Sequence, residues 1–205
     1  MEQRERIIEE ATSQFFRYGI RNVRMDDIAA ALGISKRTMY EMYKDKTDLV
    51  QTVLVVLSQQ QEDKNRQLME GSGNVIETIF VFMQEGIKVM NAINPVFFSD
   101  LKKFYYGVYS AVHNENVKSA YNITYVLLHK GLEEGIFRKD ISIPIVSKLF
   151  HEQMNLISEE KIFPRDQFDY TEVFRNLIIN FMRGISTSKG IEIIDKMLEN
   201  KYQVF

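Results

Sequence analysis

An all-α fold is what this sequence predicts: a small N-terminal domain of three short helices over residues 1–48, then a larger helical C-terminal domain over 49–205. Two observations carry the prediction. Apolar residues recur at i, i+3 and i+4 spacing through most of the chain, and strand-and-turn alternation is missing. Only three prolines and ten glycines interrupt 205 residues, so helices have few compulsory stops.

Each element has its own signal. Ile7, Ile8, Ala11, Phe15 and Phe16 form the stripe of a first helix that stops at Tyr18-Gly19, where glycine can take a left-handed cap. A second short helix begins near Met25, with Asp26 and Asp27 favoured by the dipole of its first turn, and ends at Gly33. Ser35 reads as the N-cap of a third helix from Lys36 to Tyr43. Thr47 or Asp48 then caps a longer helix to about Met69 that joins head to body, and Gly71-Ser72-Gly73 reads as a turn. In the body, helices are expected over Asn74 to Met90, from Asn94-Pro95 to about Tyr106, over Ser110 to Glu134, from Ile143-Pro144 to about Glu160, and over Tyr170 to Ile185. Residues 190–205 carry only weak helical periodicity.

Composition removes several classes of function. With no cysteine there is no disulfide framework, thiolate nucleophile or Cys-ligated zinc. Residues 1–12 are charged and amphipathic, without the apolar stretch of a secretory signal, and no long uncharged apolar run predicts a membrane span, so the expected location is the cytoplasm. The net charge of −2 conceals an uneven distribution. Between Arg17 and Lys46 seven basic residues stand against four acids, whereas residues 51–205 carry 17 basic and 19 acidic residues. A basic head on a mildly acidic body fits a polyanionic partner at the head.

The run from Met25 to Leu49 gives that head a chemistry. Ala29 lets two helices cross closely, Gly33 allows a sharp turn and Ile34 plugs the space between them, the construction of a helix-turn-helix. Burial of those positions leaves Lys36, Arg37, Thr38, Tyr40 and Tyr43 to face outward. A short helix with such a face enters the major groove N-terminus first. Arg37 is the candidate base reader, because a guanidinium can bond guanine O6 and N7 together, and Lys36 can share that role or contact phosphate. Ser35, Tyr40, Tyr43 and Lys46 offer donors for positioning on the backbone.

On these residues the chain resembles the TetR family of repressors. The resemblance rests on Ala11, Phe15 (one place off) and Gly19, on Ile28, Ala29 and Leu32 to Ser35, and on Met39, Tyr40, Tyr43, Lys46 and Leu49. It covers about residues 4–50 closely and the rest only in helix count and length. Two positions depart from the pattern. Arg37 stands where a small residue is common, and Val23-Arg24 where a Thr pair often precedes the second helix, which adds Arg24 as a candidate phosphate contact. The resemblance implies a homodimer on double-stranded operator DNA, with residues 1–48 as the DNA-binding domain and 49–205 as the effector-binding and dimerisation domain. Release by a small apolar or amphipathic effector is likewise implied; activation, and an architectural DNA binder without effector, stay open.

Aromatics crowd the middle of the chain. Each alone is expected in the core, yet apolar walls with a few polar handles are also what a small-molecule site requires. Phe98, Tyr105, Tyr109, Tyr125, His129 and Met154 are the candidate lining residues. The last two body helices carry more apolar surface than one packing partner needs, so Leu149, Phe150, Phe174, Leu177, Ile178 and Phe181 are the candidate dimer face. An enzyme is not expected. No Glu-x-x-His precedes any of the three histidines, His151-Glu152 reaches Asn155 where a zinc-protease motif needs a second histidine, and phosphate-binding glycine loops and Gly-x-Ser-x-Gly are missing. No metal or cofactor is expected.

Overall fold

The computed structural model describes residues 2–70, 73–157 and 161–201, and among these it has ten helices. They are α1 (Gln3–Tyr18), α2 (Met25–Leu32), α3 (Lys36–Met42), α4 (Lys46–Glu70), α5 (Val75–Ala92), α6 (Pro95–Phe104), α7 (Tyr106–Glu133), α8 (Ile143–Ile157), α9 (Tyr170–Ile185) and α10 (Ser188–Lys201). The only β pairing among the described residues is an isolated antiparallel bridge between Phe137 and Ser186. No helix there is long and apolar enough to cross a membrane. The Gly71-Ser72 part of the expected turn, residues 158–160 at the expected end of α8, and the tail from 202 lie outside the described residues.

The chain folds as two compact units. The first comprises Met1–Lys64 and Asn91–Val117, the second Asn65–Met90 and Lys118–Phe205. Packing thus groups more chain with the first three helices than the 1–48 division does. Ile7, Ala11 and Phe15 of α1 share one core with Ile28, Ala29, Met39, Leu49 and Val53, but also with Ile93, Phe97 and Leu101. The α6 end is tied in by hydrogen bonds that sequence periodicity does not register. Asn94 donates from its backbone to Phe16 O at 2.8 Å, Asn94 Nδ2 donates to Arg17 O at 3.1 Å, and the buried Asp100 carboxylate accepts from Arg21 N at 2.7 Å. Gly19, at φ 80°, leaves room there for Val96, which a Cβ would meet at 2.6 Å.

The second unit has a separate core of Ile76, Phe80, Phe137, Ile178, Met182 and Ile194 with their neighbours. Its turn after α7 is made at Gly135, φ 66°, and Lys189 closes it by donating to Glu134 O at 2.9 Å. Each fully buried large apolar side chain in either core contributes about 1.5–3 kcal/mol.

Three boundaries differ from expectation for local reasons. Asp45, not Thr47 or Asp48, caps α4: Asp45 Oδ1 accepts from Asp48 N at 2.9 Å, while Asp48 Oδ2 accepts from Lys44 N at 3.0 Å. Helix α7 starts at Tyr106, before the expected Ser110, because Tyr109 N donates to Tyr105 O. The weakly periodic tail forms α10, whose Ile194 is fully buried.

Candidate nucleic-acid interface and body cavity

The turn between α2 and α3 is closed by a full Schellman motif. Gly33, at φ 65°, donates to Ala30 O at 3.1 Å and Ile34 donates to Ala29 O at 3.0 Å. Ser35 then starts α3: its Oγ accepts from Thr38 N at 3.0 Å and lies 2.8 Å from Thr38 Oγ1. Both hydroxyls are therefore engaged with each other at the N-terminus of α3. Met39 and Tyr43, four residues apart, form the buried side of this helix, and the other side faces water.

On that open side the Lys36 and Arg37 side chains are 71% and 88% exposed, so both cations are available to a partner. Each is meanwhile held by an acid. Lys36 Nζ pairs with Asp26 at 2.5 Å, which holds the ammonium above its usual range, and Arg37 Nε pairs with Glu41 at 2.8 Å. Exposed pairs of this kind are weak and readily exchanged for a stronger acceptor. Tyr40 is exposed beside them. Arg24 lies exposed just before α2, its backbone N–H donating to Asp27 Oδ2 at 2.8 Å. Lys46 is half-buried: Nζ lies 3.4 Å from Arg21 O, and burial lowers its pKa from the usual lysine value. The acidic partners Asp26 and Glu41 were not foreseen as part of this face, although the i, i+4 spacing of Arg37 and Glu41 is visible in the sequence.

Tyr43 corrects the outward face expected from the sequence. It is fully buried, with no hydrogen-bond partner for its hydroxyl among the described residues, and the Arg4 guanidinium lies 5.6 Å from its ring centroid. Burial pushes the hydroxyl's pKa up, opposed by Arg4. The physical reason is helical periodicity: residue 43 falls one turn after the buried Met39.

The second unit holds a half-open cavity of about 300 Å³. Its walls are apolar, including Phe82, Met83, Ile123, Leu127 and Phe150, and its polar lining residues among those described are Asn65, Thr124 and His151. No Lys, Arg, Asp or Glu is among them. Thr124 Oγ1 donates to Ala120 O at 3.0 Å. The His151 ring stacks on Tyr121 at 5.4 Å and meets the edge of Phe150 at 5.7 Å. Its Nε2 is buried without a hydrogen-bond partner, and desolvation pushes its pKa below the usual histidine value.

The expected lining set is only partly brought together. Met154 lines this cavity and the other five candidates do not. Phe98, Tyr105 and Tyr109 belong to the first unit, where Phe98 is exposed against the edge of Phe97, and Tyr105 and Tyr109 pack on that unit's core. Tyr125 and His129 are exposed, their rings 4.7 Å apart. Aromatic content located the cavity poorly because most of its walls are Ile, Leu and Met, and because Phe98, Tyr105 and Tyr109 belong to the other unit.

The expected dimer set divides similarly. Phe174 and Ile178 are buried in their own subunit, Phe150 and Phe181 meet at 4.7 Å and line the cavity, and Leu177 is half-buried. Leu149 alone of the six is well exposed, and it shares an open face of α8 with Ile145 and Leu156. The α9 stripe is used in part by its own core and by the cavity, while Val173 and Leu177 stay half-buried.

A cation-bearing α3 mounted by a Schellman turn on α2 has the construction of a helix-turn-helix. Residues 7–53 match the family model for bacterial regulatory proteins of the tetR family. The chain is 25% identical over 166 residues to YvaF of Bacillus subtilis (strain 168), an uncharacterized HTH-type transcriptional regulator, covering 80% of this chain and 86% of that protein. A TetR-family regulator from Agrobacterium tumefaciens has the same fold, with TM-score 0.69 and 15% identity over 90% of this chain and 97% of the other. FadR from Bacillus subtilis, solved in complex with stearoyl-CoA, gives TM-score 0.64 and 13% identity over 88% of this chain and 98% of its own. Over residues 7–53 the chain is thus similar to the tetR family of bacterial regulatory proteins, and over 90% of its length it shares the fold of a TetR-family regulator.

Proposed function

We propose that this regulator is a homodimeric repressor whose hold on its operator is released when a small apolar or amphipathic molecule enters the body cavity. The observation that carries the proposal is the presence in one chain of an exposed cationic α3 and an apolar cavity free of charged lining residues among those described. The stearoyl-CoA held by the Bacillus subtilis FadR supports ligand control in a chain of this fold. Residues 1–48 act as the DNA-binding domain, with Arg37 on a guanine edge and Lys36 beside it or on phosphate. Arg24, Tyr40 and Lys46 take the backbone. Ser35 and Thr38 hold the start of α3 and contact DNA only through exposed edges. Two copies are needed because one short helix reads too few bases, and paired recognition helices spaced by about 34–36 Å meet successive major grooves.

Residues 49–205 supply effector binding and dimerisation. Ligand control is a coupling free energy: a molecule that prefers the weak-binding state by a factor of ten lowers operator affinity by the same factor, about 1.4 kcal/mol. The test begins with selection of bound sequences from random duplex DNA, followed by gel-shift titration with a panel of apolar small molecules. A two-fold symmetric site and at least a tenfold loss of affinity with one ligand class are expected. A single asymmetric half-site, or a ligand that fills the cavity and leaves operator affinity unchanged, refutes the proposal.

A further inference from the structure

We propose that His151 is the polar anchor of the cavity, and that the molecule it selects is a small uncharged amphiphile with one hydroxyl or carbonyl head on an apolar body. This rests on the ligand-controlled reading above and narrows it to a chemical class. A permanently charged head placed at the buried Nε2 of His151, away from the open side of the cavity, would meet described walls that hold no compensating Lys, Arg, Asp or Glu. An unpaired charge in such surroundings is costly, whereas an apolar body gains from every methylene buried.

The head must then find a hydrogen bond, and one polar lining atom among the described residues is buried with its own bond unmade. Thr124 already gives its proton to Ala120 O at 3.0 Å, and Asn65 has an interaction of its own. His151 Nε2 is buried and unpartnered among the described residues. Leaving such an atom unsatisfied costs about 1–3 kcal/mol, which a ligand head recovers and a hydrocarbon of the same shape does not. The imidazole can accept from a hydroxyl or donate to a carbonyl, according to its tautomer.

The ring is also held in place. Tyr121 stacks on it and Phe150 abuts its plane, while the Tyr121 hydroxyl donates to Pro144 O at 3.3 Å. A fixed donor or acceptor in an apolar space discriminates strongly against analogues that lack the matching group. The volume of about 300 Å³ sits at the lower end of small-molecule sites, so a compact occupant fits better than a long acyl chain.

The experiment uses the full-length dimer and displacement of the fluorophore N-phenyl-1-naphthylamine by probes that share an eight-carbon chain: 1-octanol, octanoate and octyltrimethylammonium. Wild type is compared with His151→Leu and His151→Gln, with thermal melts to establish folding. Expected are at least tenfold tighter displacement of the dye by 1-octanol than by either ion, loss of that octanol affinity by about tenfold in His151→Leu, and its recovery in His151→Gln. Tighter binding of octanoate or octyltrimethylammonium to wild type overturns the neutral-head assignment. Equal octanol affinity in wild type and a folded His151→Leu overturns the anchor while leaving a ligand-binding body intact. Failure of wild type to take up the dye or any probe removes the ligand-controlled reading itself, and this inference with it. If His151→Leu does not fold, His151→Phe takes its place, with the same two outcomes.

Discussion

At the scale of single residues, α3 separates groups that face water from groups that hold the helix. Arg37 is expected to read a base, so Arg37→Ala should relax selectivity at one operator position by about 1–3 kcal/mol in a competition gel shift against single-base variants. Arg24→Ala should instead weaken all sites alike and reduce the slope of log K against log salt by about one unit. Unchanged selectivity in the first variant removes the reader assignment. Tyr43 makes the opposite point. Because its buried hydroxyl has no partner among the described residues, Tyr43→Phe should leave operator affinity untouched and keep or raise the thermal midpoint, by up to about 1 kcal/mol of stability. A backbone-anchoring tyrosine would lose affinity. The sequence held the cue to this inversion in the four-residue step from Met39, whereas the lining role of His151 had none, since the cavity is assembled from five separate helices.

At the scale of elements, local chemistry was most legible where a helix end is specified by one side chain. Ser35 and Asn94 each accept a backbone N–H at the start of their helices, and Gly33 ends α2, in agreement with the sequence pattern, while Asp169 caps α9 unannounced. Elements defined by distant partners were harder to read. Residues 190–205 read as only weakly periodic, yet α10 forms there with Ile194 fully buried, and α6 joins the first unit through Asp100, 79 residues from the Arg21 amide it accepts from. The Schellman turn gives a clean test of local specification. A Cβ at Gly33 would meet nothing within 4 Å, so the cost of Gly33→Ala is the left-handed backbone alone. It should lower unfolding free energy by about 1–2 kcal/mol in urea titration, with Gly33→Asn closer to wild type. A neutral Gly33→Ala would mean that the turn relaxes into another conformation.

At the scale of the whole molecule, a dimer must use surface that the single chain leaves open. That condition moves attention from α9, whose Phe174 and Ile178 are already spent on the internal core, to the face of α8 bearing Ile145 and Leu149, which are 61% and 55% exposed. In a two-fold interface the same patch meets its own copy, so one substituted acid near the axis sets two like charges against each other in a desolvated contact. Leu149→Asp should therefore convert the proposed dimer to a folded monomer in sedimentation velocity at micromolar concentration, with an unchanged far-ultraviolet circular dichroism spectrum, because the side chain is exposed in the single chain. Operator affinity should fall at least a hundredfold, since a lone head keeps only half of the phosphate and base contacts. Phe174→Ala supplies the contrast. It removes a buried ring and should cost about 3–5 kcal/mol of fold stability, so that any loss of DNA binding accompanies loss of structure. A Leu149→Asp protein that remains dimeric would place the subunit contact elsewhere on the body.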